Sequence, residues 1–198
     1  MTVAIVIVVL FSFAALAIDI GNAMVARNEL QNVADAAALA GARSLGQAYA
    51  GLATGVSYAS YWASNSSALT TTAKTAATNV AIQNQARQVA IAINAADITV
   101  NYWDATTRTL RAPNPGSTIE GGTGVRVTAR RDSTANGPVA TWLAGIMGIN
   151  SMSITATATA ALTGTGVLVP GEANAPFGFD QVFFNNPAFC NASRSGES

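Results

Sequence analysis

The stretch that decides the fold is MTVAIVIVVLFSFAALAI at residues 1–18, which continues without a proline into DIGNAMVARNELQNVADAAALAGARSLGQAYA at residues 19–50. The first part has no charged residue. As a helix it would measure roughly 27 Å, close to the ~30 Å hydrocarbon core of a bilayer. The second part is rich in alanine, the strongest helix former. The two parts together predict one long helix, an apolar span followed by a narrow stalk on which other helices can pack closely.

Three interpretations of the apolar span compete. A secretory signal would carry a basic segment before the apolar run, whereas the first basic residue here is Arg27. A helix inside a soluble core would have to be covered on every side by a chain of only 198 residues. A retained membrane or filament-core helix fits the sequence best. Because a first membrane helix normally has Lys or Arg on its cytoplasmic side, we expect that a short basic leader was removed before Met1.

The composition narrows the classes of function. Half of the residues are hydrophobic and 10% are charged, against a usual value of about 25%, so the excess apolar surface must face lipid or partner subunits. The ten basic and ten acidic residues balance, which argues against nucleic-acid binding. The absence of histidine excludes Ser-His-Asp and Cys-His catalysis and histidine-ligated metals, and one cysteine, Cys190, cannot form an intrachain disulfide. We therefore predict no enzymatic activity, no cofactor and no metal site.

A motif follows the apolar run. The apolar helix leads into an Asp-x-Gly step, then an Arg-x-x-Leu-Gln element, then an Ala-Asp-Ala-Ala-Ala-Leu-Ala run. This pattern resembles the N-terminal signature of the TadE/TadG-like proteins of tight-adherence (Flp) pilus systems. The similarity is specific over residues 1–43, with weaker echoes at 124–129, 142–148 and 153–160. The signature positions are Asp19, Gly21, Arg27, Leu30, Gln31, Asp35 and Leu39.

The resemblance implies a prepilin-like structural protein. A prepilin peptidase would cut it, its helix would hold it in the bacterial or archaeal inner membrane, and the pilus secretion machinery would draw it into an extracellular filament used in adhesion. The filament would be a helical homo-oligomer. The alternative is a monomeric, membrane-anchored assembly factor or a minor tip pilin. The side chains expected to drive membrane insertion and polymerisation are Val3, Ile5, Ile7, Val9, Leu10, Phe11, Phe13, Leu16 and Ile18.

One position departs from the pilin pattern. Many pilins carry a glutamate at the fifth mature position, thought to neutralise the N-terminal amine of a neighbour, whereas this chain has Ile5. Asp19, the first charged residue, has two interpretations. It marks the water-level end of the span, or it is a partner for a cation such as the α-amino group of a neighbouring chain.

Residues 51–162 predict an α+β head behind the long N-terminal helix. We expect a connection over 51–72 with a turn at Asn65, then a helix over 72–95 capped by Thr72. Four antiparallel strands are predicted at 98–102, 108–112, 124–130 and 151–162, with a short helix at 139–147. The predicted helix presents Ile82, Ala86, Val89 and Ile93 on one face. The fold class is therefore one or two helices packed on a roughly four-stranded antiparallel sheet. Because the last strand is long and uncharged, we expect it to be central or covered.

The sequence divides into a helix and stalk at 1–50, a head at 51–162 and a tail at 163–198 that is rich in glycine, proline and aromatic residues. The tail aromatics would cover either their own head or the next subunit. Asn65 and Asn191 satisfy the glycosylation sequon. Residues 130–132 fit a solvated strand end better than an anion site. The tail also holds weaker candidates, Asp180 with Asn185 and Asn186 for calcium and Cys190 for a cross-link or a free thiol.

Overall fold

The computed structural model describes residues 2–53, 56–117 and 119–162, and within these ranges the side chains of residues 4, 5, 8, 146 and 147 are not described. Two helices dominate this part of the chain. The first, α1, runs without interruption over Thr2–Ala50 and contains 49 residues. The second, α2, spans Tyr58–Ala81. The predicted long N-terminal helix is confirmed.

A four-stranded antiparallel sheet packs on the helices, which confirms the α+β class. The described part of the chain contains eight strands, four of which form this main sheet. In chain order they are β1 Gln85–Ala86, β2 Val89–Ala90, β3 Ile98–Asp104, β4 Thr109–Arg111, β5 Gly124–Arg131, β6 Val139–Ala140, β7 Ser151–Met152 and β8 Ile154–Ala161. The main sheet has the order β4-β3-β5-β8, while β1-β2 and β6-β7 form separate two-stranded pairs. Short 3-10 helices cover Ala95–Asp97 and Ala144–Met147.

The core lies between α1, α2 and the inner face of the main sheet. Strand β5 alternates as predicted, and its inward-facing Val125, Val127 and Ala129 are fully buried. Gly41 lies where α1 meets both α2 and β5. A Cβ atom at Gly41 would come 2.9 Å from Val125 Cγ1 and 3.2 Å from the Ala73 carbonyl oxygen. The absent side chain is therefore what allows the three elements to approach one another so closely.

The predicted connection at 51–72 is too long, because α1 ends at Ala50 and α2 already begins at Tyr58. The Ser57 side chain caps this helix by accepting a hydrogen bond from the Ser60 amide at 3.1 Å. Inside the helix, polar side chains donate back to carbonyls one turn earlier, as Asn65 Nδ2 does to Tyr61 at 3.0 Å. Polar side chains that indicated a loop are therefore accommodated within helical geometry, and Thr72 lies mid-helix rather than at a cap.

The predicted helix over 72–95 is present only as far as Ala81, where α2 ends, and is wrong beyond it. The next residues form the β1-β2 hairpin, whose turn holds Arg87 and Gln88 at positive φ, 50° and 64°. The Asn84 side chain donates to the Val80 carbonyl at 2.7 Å, which satisfies one of the last helical acceptors. The helical spacing of the apolar residues in this segment does not reflect one helical face, because Ala86 and Ile93 are buried outside the helix while Ile82, at the end of α2, is 50% exposed.

Strand β8 was expected to be central or covered; it is not central, since it lies at the edge of the sheet, but one of its faces is covered by α1. The expected alternation is present, with Ala156, Ala158 and Ala160 buried against α1. The predicted helix at 139–147 is reduced to the 3-10 turn at Ala144–Met147, and it ends at Gly148 as expected, with φ of 89°.

Candidate functional site

The N-terminal third of α1 presents an apolar surface that the head does not cover. The side chains predicted for this surface have exposed fractions between 46% and 73%, apart from Ile5, whose side chain lies outside the described set. Burial of α1 begins at Asp19 and becomes regular from Ala26 onward. The helix therefore has two parts, an exposed apolar segment over 2–18 and a stalk that belongs to the core of the head.

Asp19 joins these two parts to the head. Its side chain is buried, with 3% of the residue exposed. Its carboxylate accepts three backbone hydrogen bonds, from Trp142 at 2.8 Å, Leu143 at 3.1 Å and Ala144 at 2.6 Å. One turn further on, Asn22 Nδ2 donates to the Ala140 carbonyl at 3.3 Å. Amide groups that begin a 3-10 turn have no partner within the turn, so a carboxylate is well suited to them.

The segment that Asp19 holds forms a closed loop, which we call the basal loop and define as residues 139–152. Strands β6 and β7 pair at its base, and the 3-10 turn lies at its tip. The Thr141 hydroxyl donates to the Ile149 carbonyl, and the Thr141 amide donates to the Asn150 carbonyl at 3.1 Å. The loop therefore satisfies much of its backbone internally, and Asp19 supplies acceptors for the amides that remain at its tip.

Arg131 fixes the entry to the basal loop. Its guanidinium donates to the carbonyls of Gly137 at 2.7 Å, Ala86 at 2.8 Å and Pro138 at 3.3 Å. Burial lowers the pKa of Arg131 from its ordinary value, because the charged form loses solvent. The interpretation of 130–132 as a solvated strand end is wrong for this residue. Its neighbour Arg130 forms ion pairs with Asp97 and Asp132.

The remaining signature residues have different environments. Leu30 is fully buried in the core, while Gln31 Nε2 donates to Asp35 Oδ1 at 3.1 Å and reaches the carbonyl of Thr157 in β8 at 3.5 Å. Arg27 and Asp35 are exposed. A Cβ atom at Gly21 would meet nothing within 4 Å. The signature therefore combines one core residue, one buried anchor and several positions that face outward.

Leu39 is an exposed apolar side chain on the stalk. Its exposed fraction is 64%, and it borders a shallow groove between α1 and α2 with Arg43, Ala76 and Val80. Glu29, ten residues before Leu39 on the same helix, accepts a hydrogen bond from the Arg87 amide at 2.6 Å. Leu39 is thus a separate exposed apolar position on the stalk, since the exposed charged residues Arg27 and Asp35 lie between it and the first 18 residues.

Of the two predicted glycosylation positions, Asn65 lies among the described residues and Asn191 does not. Asn65 is half-buried within α2, and its side-chain nitrogen already donates to the Tyr61 carbonyl. Asn191 lies outside the described residues, as do Cys190 and the calcium candidate at Asp180. Glycosylation at both positions stays a prediction. Within the described ranges, no cluster of three or more His, Cys, Asp or Glu residues could hold a metal ion.

The fold, together with the contact between Asp19 and the basal loop, defines a class of protein in which a helix of membrane-spanning character carries an α+β head. Among the described residues, one candidate span was found by length and composition, within Val9–Ala50. Two family models match the chain, the Flp pilus-assembly TadE/G-like family over residues 1–44 and the Tad-like Flp pilus-assembly family over residues 40–160. The chain belongs to the Tad-like Flp pilus-assembly family. No curated protein and no solved structure matches it.

Family membership confirms the resemblance drawn from residues 1–43 and gives the chain a pilus-related role. It places the chain among structural and assembly proteins of pili, and its apolar helix fits a membrane anchor. The anchor made by Asp19 was not predicted from the sequence. The two interpretations offered for Asp19 both left its carboxylate outside the head, whereas its partners are 123 to 125 residues away in the chain. The sequence signal near these partners is an uncharged stretch, residues 139–152, that contains Trp142.

Proposed function

We propose that this chain is a pilin-like subunit that polymerises through residues 2–18 into an extracellular filament after a stage in the inner membrane. The observation that carries the proposal is the exposed apolar segment, which continues as one helix into the core of the head. Phe11 and Phe13 are 71% and 68% exposed. Such a surface is stable in only two environments, lipid and the equivalent helices of other subunits.

The energetics favour a dry environment for this segment. Burying a side chain the size of Phe, Leu or Val stabilises by roughly 1.5–3 kcal/mol. Residues 2–18 offer many such side chains and no charge. The bilayer covers them before assembly, and neighbouring subunits cover them in the filament. The exposed Leu39 is a separate apolar position on the stalk that a neighbouring subunit would also cover.

The proposed contacts differ from those of pilins that pair a glutamate with a neighbour's amine. Asp19 is already occupied by three amides of its own head, and position 5 is isoleucine. Polymerisation therefore depends on apolar packing. The same observation favours a second candidate, a monomeric membrane-anchored assembly factor or minor pilin, because residues 2–18 contain no carboxylate to receive a neighbour's amine.

The remaining parts of the proposal are expectations that membership of a pilus-assembly family supports only in outline. A prepilin peptidase and the pilus secretion machinery would process and export the chain, and the finished filament would serve surface adhesion. The cellular path would run from the inner membrane to the cell surface.

The two candidates separate in a variant that keeps membrane insertion and changes only the shape of the helix surface. Phe11→Ala with Phe13→Ala leaves residues 2–18 uncharged and apolar, so the chain should still insert. We expect a large loss of sheared surface fibre with an unchanged amount of chain in the membrane fraction. Ile119→Ala is the matched control, because Ile119 is 73% exposed on the head. Unchanged fibre yield in the double variant would contradict polymerisation through this segment.

A further inference from the structure

We propose that the basal loop enters the headgroup region of the bilayer next to α1, with Trp142 and Ile149 in contact with lipid. The loop would act as a second membrane contact that sets the tilt and depth of the head. This inference rests on the membrane stage of the proposed function and does not require the filament.

The position of the loop along α1 is the first step. Three hydrogen bonds of 2.6 to 3.1 Å fix the backbone of residues 142–144 against the Asp19 carboxylate. Asp19 directly follows the uncharged segment. If that segment fills the hydrocarbon core, Asp19 and the loop tip lie together where the helix leaves it.

The chemistry of the loop suits that level. Residues 139–152 contain no charged side chain in a chain whose residues are 10% charged overall. Trp142 is 75% exposed and Ile149 is 55% exposed, so both are free to meet lipid. Tryptophan is enriched where membrane meets water, because its ring is apolar while its N–H can still find a polar partner.

The loop is also ready to enter this environment without rearrangement. Its strands pair with each other, and its tip amides donate to Asp19, so few backbone groups would be left without a partner near lipid. Arg131 holds the entry to the loop through the Gly137 and Pro138 carbonyls. A segment that is already ordered loses little conformational entropy on binding.

Cationic side chains lie on the head side of the loop. The exposed Arg87 lines the same cleft as Trp142 and Asn22, a cavity of about 290 Å³. Arg27 is exposed on α1 eight residues beyond Asp19, which is about 12 Å along a helix axis. The backbone of Arg27 therefore lies above a headgroup layer that is roughly 5–8 Å thick on each side, and its long side chain, tilted toward the helix N-terminus, can reach back to the lipid phosphates.

The chain contains built-in controls for a test. Trp62 packs against Gly122, whose carbonyl accepts a hydrogen bond from the Tyr49 hydroxyl at 2.8 Å. Trp103 donates its amide to Thr123 Oγ1 at 3.1 Å, beside the same strand end. Position 49 is 30 residues beyond Asp19 on one helix, or about 45 Å away along its axis. These two tryptophans should therefore lie far above the membrane surface.

The experiment reconstitutes the full chain in phosphatidylcholine vesicles that contain phosphatidylglycerol. A second preparation carries bromine near the headgroup end of the acyl chains, where it quenches nearby tryptophan. We expect bromolipid to remove part of the wild-type emission, and Trp142→Phe to abolish that quenched part. Trp62→Phe should leave it in place. Trp142 is exposed, so its replacement should not disturb folding.

Equal quenching in wild type and Trp142→Phe would overturn the inference. A second result would also overturn it. In that result bromolipid does not quench Trp142, but Trp142 becomes shielded from aqueous iodide as the protein concentration rises. A second copy of the chain, and not lipid, would then cover the loop. The Phe11 and Phe13 variants supply the distinction from the proposed function. Loss of their fibres with intact Trp142 quenching supports both proposals, whereas normal fibres with intact quenching contradict polymerisation alone.

Discussion

Gly41 offers a stability test whose magnitude follows from the structure. In Gly41→Ala, the new Cβ would lie 2.9 Å from Val125 Cγ1 and 3.2 Å from the Ala73 carbonyl oxygen. Val125 is fully buried and the second contact is backbone, so neither neighbour can easily retreat. Overpacking of this kind costs about 1–3 kcal/mol. Replacing a helical glycine by alanine gains roughly 0.5–1 kcal/mol in return. We therefore expect a net loss of up to about 2.5 kcal/mol.

Gly21→Ala is the matched control for this prediction. Gly21 lies on the same helix, and a Cβ there would meet nothing within 4 Å. We expect this variant to be neutral or slightly stabilised, so that the difference between the two variants isolates the steric term. The measurement is urea unfolding of the full chain in mild detergent, followed by tryptophan emission and extrapolated to water. A Gly41→Ala variant as stable as Gly21→Ala would refute the close packing of α1 on α2 and β5.

Three further predictions address the contact between Asp19 and the basal loop, the core, and the ion pair between Arg111 and Glu120. Asp19→Ala should raise amide hydrogen exchange at residues 142–144 by roughly tenfold or more, since three bonds to a carboxylate are lost; unchanged exchange would contradict the anchor. Leu30→Ala should cost about 2–5 kcal/mol in unfolding free energy, because Leu30 is fully buried, and a loss comparable to that of an exposed-site variant would contradict its place in the core. Arg111 donates hydrogen bonds to the Glu120 carboxylate at 2.7 and 2.8 Å and so holds the pKa of Glu120 below its ordinary 4.5. The stability from this pair is present above that ordinary value and is lost as pH falls through the lower folded pKa. The midpoint temperature of thermal unfolding should therefore fall less steeply from neutral to acidic pH in Glu120→Gln than in wild type. Parallel pH profiles of the two midpoints would contradict the contribution of the Arg111–Glu120 pair.

Strand β5 shows what the sequence could predict. Its alternation of Val125, Val127 and Ala129 with polar residues identified both the strand and its buried face, because period-two patterning reflects one-sided burial directly. The long α1 was predictable for a similar reason, since residues 2–50 contain no proline and residues 2–18 contain no charge. Patterns that a single element imposes on its own residues are visible without the rest of the fold.

The wrong predictions concern features that depend on contacts between residues far apart in the chain. Ile82, Ala86, Val89 and Ile93 have helical spacing, yet Ile82 ends α2 and tertiary packing places Ala86 and Val89 on a hairpin with two residues at positive φ. Helical spacing over four residues is compatible with other structures when the backbone turns between them. The edge position of β8 depends on which strands pair, and its own sequence does not encode that order.

The candidate site was predictable only in part. The apolar segment and the signature residues were identified from the sequence, but the role of Asp19 was not. Its bonding partners are backbone amides of Trp142, Leu143 and Ala144, and backbone groups leave no trace in residue identity. Arg131 was misassigned for the same reason, because all three of its acceptors are main-chain carbonyls.

The most direct test of the account is the protein composition of surface fibres sheared from cells that express the chain. If residues 2–18 form the filament core, this chain should be the main protein of the fibre, and its N-terminal segment should be protected from hydrogen exchange there. A trace amount in the fibre, with the bulk of the chain retained in the membrane fraction, would contradict a filament-forming subunit and support the monomeric assembly factor.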